Sequence, residues 1–136
     1  MARMNRGLKI TLCGAILCGV LLTAGCGKSA KDTYGAPSFM VESTLAVIDG
    51  LKAVLPKKSN YDLLGATARV SGALDHLPSI VPSAAGKAKA QKAAEMYEKE
   101  VKPAILSLEY DPAAMAKKVD EIRAVVVEVG KEVPQS

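Results

Sequence analysis

The residues from Ile10 to Leu22 form a largely apolar run that ends at Thr23-Ala24-Gly25-Cys26. Arg3, Arg6 and Lys9 precede the run, and Lys28 and Lys31 follow it. A positive start, an apolar middle of about 7–15 residues and a small-residue exit make an export signal that is removed from the mature chain. A membrane-spanning helix needs about 20 apolar residues. This run falls short, and the turn-prone Ala24-Gly25-Cys26-Gly27 closes it. An uncleaved anchor therefore fits less well than a cleaved signal. Either way the downstream residues work outside the cytoplasm, and only they are left to build a fold.

A cysteine directly after Ala24-Gly25, with Leu21 and Leu22 upstream, resembles the lipobox of bacterial lipoprotein precursors. In that family the cysteine sulfur receives a diacylglycerol and a dedicated peptidase cuts just before it. The new amino group is then usually acylated by a fatty acid such as palmitate. The resemblance implies that residues 1–25 are a lipoprotein signal peptide and that lipidated Cys26 begins the mature chain. Thr23 departs from the family, which more often has leucine there; Leu22 lies one place further back. Secretory cleavage without lipid is the alternative. Each buried CH₂ contributes about 0.8 kcal/mol, so several acyl chains anchor firmly where one would not. The implied location is the bacterial cell envelope, facing the periplasm or the exterior. Gly27 after the cysteine, where an aspartate could stand, resembles outer-membrane sorting in enteric bacteria.

Removing the signal changes the composition that matters. The whole chain has 18 basic and 14 acidic side chains. Arg3, Arg6 and Lys9 leave with residues 1–25, so 15 basic remain against 14 acidic and the net charge falls to +1. A sequence pI near 9.0 is thus partly a property of the signal. No basic block or aromatic platform remains to suggest nucleic acid. Cys13 and Cys18 leave too, and Cys26 alone is no disulfide framework. A chain of about 110 residues makes one domain and buries about two thirds of its surface. Its core is expected to be aliphatic, because Phe39 is the only phenylalanine and there is no tryptophan.

Residues 26–36 are small and polar and read as a flexible tether. Lys28 and Lys31 could sit near anionic headgroups, but ordinary linker charges are the favoured reading. The remainder, 37–133, divides at prolines into four amphipathic stretches. The first runs from Pro37 to Leu55, with Val41, Leu45, Ile48, Leu51 and Leu55 on one stripe before Pro56. The second runs from Asn60 to Leu77 on Leu63, Thr67, Val70, Leu74 and Leu77, with Ser59 as N-cap, Asp62 in a weak capping box and Pro78 as its stop. Gly65 and Gly72 lie on one face of it, and each costs about 1 kcal/mol of helix propensity. Two readings cover them. Packing against a neighbouring helix inside the bundle is favoured, and an exposed interaction face is the other.

The third stretch runs from Ser83 to Leu108 on Ala90, Ala94, Tyr97, Val101, Ile105 and Leu108. Its stripe keeps phase across Pro103, which predicts a kinked but continuous helix. Glu95 with Lys99, and Glu98 with Lys102, are i,i+4 pairs. The fourth opens at Asp111-Pro112 and carries Met115, Val119, Ile122, Val126, Val129 and Val133. Val125-Val126-Val127 has strand propensity, but the surrounding period is helical. Four such helices with short connections predict an all-α, up-down-up-down four-helix bundle. Val41-Glu42, Thr44-Leu45-Ala46-Val47-Ile48 and Leu51-Lys52 resemble the first helix of the cyanobacterial photosystem II assembly lipoprotein, also a small lipidated four-helix bundle. That likeness covers about a dozen residues and stops before the last two helices, so it implies a shared amphipathic design.

Residues able to carry chemistry are sparse. His76 is the only histidine and sits at a proline-ended helix terminus, where a surface or capping role is the ordinary one. Paired with Met40, Met96 or Met115 it could be drawn as a b-type haem site. No Cys-x-x-Cys-His, Glu-x-x-His pair or thiol cluster supports c-type haem, di-iron or structural zinc. Ser71 lies five residues before His76 without a nucleophile elbow, and Gly86 is isolated from any phosphate loop. Glu98 with Glu100, and Asp120 with Glu121, fall on polar faces. No cofactor and no catalytic residue is expected. The sequence instead predicts a membrane-anchored, non-catalytic interaction or structural module whose partner is an envelope protein. Its alternative is a small-ligand or haem carrier using the bundle interior. The mostly aliphatic stripes favour a solid core.

Overall fold

The computed structural model describes residues 36–135. These form a helical bundle, and no strand occurs among them. Helix α1 is Pro37–Val54 and runs into a 3₁₀ turn at Leu55–Lys57. Helix α2 is Asn60–Ile80. Helix α3 begins with Ala84–Met96, widens into a π-helical turn at Tyr97–Val101, and closes with Lys102–Leu106. Helix α4 is Pro112–Gly130. Each helix packs on two others, α1 on α2 and α4, and α3 on α2 and α4. Residues 1–35, which include the expected signal and Cys26, lie outside the described residues.

Burial follows the apolar period. All five stripe residues of α2 and all six of the last helix region are buried. In α1 and the 3₁₀ turn after it the buried set is Val41, Thr44, Ile48, Leu51 and Leu55, with Leu45 only half covered. Thr44 tolerates this because its hydroxyl donates to the Met40 carbonyl at 2.7 Å. In α3 the buried positions are Gly86, Ala90, Ala93, Tyr97, Val101 and Ile105. Two tyrosines join the aliphatic core, and each finds a partner for its hydroxyl. Tyr97 donates to the Thr67 carbonyl at 2.8 Å, and Tyr110 donates to the Leu55 carbonyl at 2.7 Å. No buried side-chain nitrogen or oxygen lacks a partner among the described residues.

Prolines behave differently from expectation at one place and as expected at another. Pro78 does not stop α2, which continues to Ile80. The stop comes from the next proline. Val81 precedes Pro82, and a residue before proline is driven out of the α region, as its φ of −84° and ψ of 122° show. Pro103 lies inside α3, and the helix passes through it. The π turn is the means. Lys102 donates its N–H to the carbonyl of Tyr97, five residues back. The spiral is widened just before the proline ring would strike the carbonyl of Lys99. Leu108 does not extend α3; it lies beyond the helix with φ of 60°.

The caps also divide. Asp111 accepts from the Ala114 N–H at 2.8 Å, and Ser83 accepts from the Gly86 N–H at 2.9 Å. Ser59 takes the N-cap position of α2 but makes no side-chain cap bond, so the expected capping box is not formed. Polar bridges then fasten neighbouring helices. Arg123 of α4 holds Asp49 of α1 at 2.8 Å, and Lys52 holds Asp120 at 2.6 Å. Lys118 reaches Glu100 at 3.5 Å, and Lys89 pairs with Glu128, both between α3 and α4. Both expected pairs within α3 form, Glu95 with Lys99 at 3.7 Å and Glu98 with Lys102 at 3.0 Å. Exposed pairs of this kind contribute about 0–1 kcal/mol each.

Candidate interaction surface

The favoured reading of Gly65 and Gly72, packing against a neighbouring helix, is overturned. A Cβ built on either residue meets nothing within 4 Å. Both face away from the core: Gly72 is exposed and Gly65 half-covered. The buried side of α2 is already filled by Leu63, Thr67, Val70, Leu74 and Leu77, so the glycines fall on the other side of the cylinder. The glycines that packing requires are elsewhere. A Cβ on Gly86 would lie 2.5 Å from the Val81 side chain, and one on Gly130 would lie 2.7 Å from that of Val41.

Gly65 instead lines a surface groove of about 610 Å³ between α1 and α2. Small residues line much of it, Ala46 and Gly50 from α1 and Gly65, Ala66 and Ala68 from α2, beside the half-buried Val47 and Val54 of α1. Gly50, like Gly65, has open space where a side chain would stand. Tyr61 and Leu64 also line the groove, and they are 88% and 62% exposed. Exposed apolar side chains that stand together mark a contact surface, whereas singly scattered ones are normal. Asp62 and Arg69 complete the lining. Gly72, about two turns beyond Gly65 along α2, is not part of it. Over Ala46–Val54 and Tyr61–Arg69 no described side-chain hydrogen bond or ion pair crosses from α1 to α2.

The other candidate residues are not drawn together. His76 is exposed on α2, while Met115 is buried and Met40 and Met96 are half-covered. Ser71 does not serve His76; it donates to Glu98 across the α2–α3 seam. That bond, seconded by Lys102, holds the Glu98 carboxyl below its ordinary pKa. Burial, with the Glu98 charge beside it, pushes the Tyr97 phenol well above the tyrosine range. Among the described residues no group of three or more His, Cys, Asp or Glu could hold a metal ion. None of the described helices is long and apolar enough to cross a membrane.

Sequence reasoning named Gly65 but missed Ala46, Gly50, Tyr61, Leu64 and Ala68. The signal lay in α1, where Ala46 and Gly50 stand one turn apart and off the apolar stripe, and in Leu64, an apolar residue directly beside the stripe residue Leu63. Compared with protein-family models, curated proteins and solved structures, the chain has no significant match.

Proposed function

We propose that this chain is a bacterial lipoprotein, tethered to an envelope membrane through acylated Cys26, whose up-down-up-down bundle acts as a non-catalytic interaction module. The observation that carries the reading is the small-residue exit Ala24-Gly25 before Cys26, behind a positive start and an apolar run. The bundle order is supported by contacts at its two ends. Tyr110 meets Leu55 at one, and Ser83 meets Glu132 and Gly130 meets Val41 at the other. Interaction as the mode of action is supported by the α1–α2 groove with its exposed Tyr61 and Leu64. Tethering raises effective concentration at the membrane, so a weak contact face suffices. The partner is an envelope protein, and the membrane is the outer one where the cell has two.

The test is the precursor itself. Cys26→Ser should abolish incorporation of labelled fatty acid and leave the precursor uncleaved. Normal maturation of that variant, read by mass spectrometry, would refute the anchor. A face-directed pull-down from the native envelope would then test the module.

A further inference from the structure

The groove between α1 and α2 is self-complementary, and we propose that its occupant is the same groove on a second copy of this chain. The argument begins with charge. Asp62 and Arg69 both line the groove, both are exposed, and neither has an ion pair among the described residues. They stand seven residues apart, two turns of α2, and so on one face of it. Their separation along the axis is about 10 Å, too far for them to satisfy each other directly.

Placing a second α2 antiparallel to the first, across a two-fold axis midway between these residues, brings Asp62 of each copy to Arg69 of the other. An isologous contact of this kind makes both pairs at once. The midpoint falls at Gly65-Ala66. A backbone can approach closely there, because Gly65 has no side chain and open space beyond it. Tyr61 sits on the same outer face, and Leu64 beside it. Each copy can therefore lay these uncovered side chains against the small residues Ala46, Gly50 and Ala68 of its partner. Small residues at a helix crossing, apolar anchors beside them and opposite charges at both flanks together specify a second copy. A partner of unrelated sequence would have to present acid and base in the reverse order at the same spacing. The proposal deepens the interaction-module reading and rests on it, but it does not depend on the lipid.

The experiment uses the full chain expressed with its own signal. A cysteine at Gly65→Cys lies next to the axis, whereas one at Gly72→Cys lies about 20 Å from its counterpart. Mild oxidation of intact envelopes should raise the yield of disulfide-linked dimer for the first well above that of the parent chain, and leave the second at the parent's level. Asp62→Arg alone and Arg69→Asp alone should each weaken dimerisation by about tenfold or more, since each sets two like-charge contacts. The double swap, carrying both, should restore it. Melting of each variant, followed alongside, separates a lost interface from a lost fold. A cross-link of Gly65→Cys to a different envelope protein, with no dimer, would overturn the second-copy assignment and leave the module reading standing. A chain that stays monomeric at every concentration and cross-links to nothing would overturn both.

Discussion

Replacing Gly65 and Gly72 together with alanine should make the protein more stable. Both lie inside α2, neither has a positive φ, and an added Cβ meets nothing at either site. No contact is lost and none is strained, so only helix propensity changes. Alanine is favoured over glycine by about 0.8–1.0 kcal/mol in a helix interior, which gives roughly 1.6–2 kcal/mol for the pair. A domain of about 100 residues has an unfolding entropy near 0.2 kcal/mol/K, so Tm should rise by about 8–10 °C. Circular dichroism melts at low protein concentration read this without interference from self-association. Gly86→Ala supplies the opposite sign. There the new Cβ would press on Val81, which is β-branched and only 1% exposed, as well as on Ser83 and Glu132. Overpacking at such a site costs about 1–3 kcal/mol. A double alanine variant that melts at or below the parent would refute the reasoning, because it would mean that something already occupies the space beside those glycines.

Pro103→Ala should stay within about 1 kcal/mol of neutral, since the π turn has already relieved the clash that proline would cause; urea melts check it, and a large loss would show that the bend itself is needed. Tyr97→Phe removes the bond to the Thr67 carbonyl and should cost about 1 kcal/mol in the same assay. The raised Tyr97 pKa implies stability that is complete below the unfolded value near 10 and lost as pH climbs above it. Alkaline melts should therefore be flatter for Tyr97→Phe than for the parent. Glu98 has the reverse sign. Its lowered pKa gives stability present above the ordinary value of 4.5 and lost as pH falls through the lowered one. Ser71→Ala should move the Glu98 titration upward, as carboxyl NMR would record.

Much of the bundle was legible because its signals are local. The steps of three and four from Leu63 to Leu77, and from Met115 to Val133, place one face of each helix against the core with no need of a partner. Asp111-Pro112 was readable for the same reason, as cap and first turn are neighbours in the chain. Choosing between Pro78 and Pro82 as the stop of α2 was not a local question. Leu77 and Val81 are both buried, and the gain from seating them outweighs one missing helix bond. The glycines failed for a related reason. Spacing shows that Gly65 and Gly72 share a face, but which face meets a neighbour depends on where α1 and α3 stand. Tyr61 and Leu64 were invisible as a surface until α1 was seen to leave them uncovered.

The π turn of α3 has a consequence for how this chain can vary in length. From Ala93 the buried positions advance by four, to Tyr97, Val101 and Ile105. Each step of four overshoots a turn of 3.6 residues by about 40°, so an ordinary helix would carry Ile105 roughly 120° off the core. The widened turn absorbs that drift, which is to say that α3 holds one residue more than its rise requires. Losing one exposed residue between Tyr97 and Val101 would return the spacing to three with the same faces inward, and the helix would then bend where the Pro103 ring meets the carbonyl four residues back. Elsewhere inside a helix a single deletion rotates every later side chain of that helix by about 100°. Descendants of this sequence thus have one internal position where a codon can be dropped and the core stays in register.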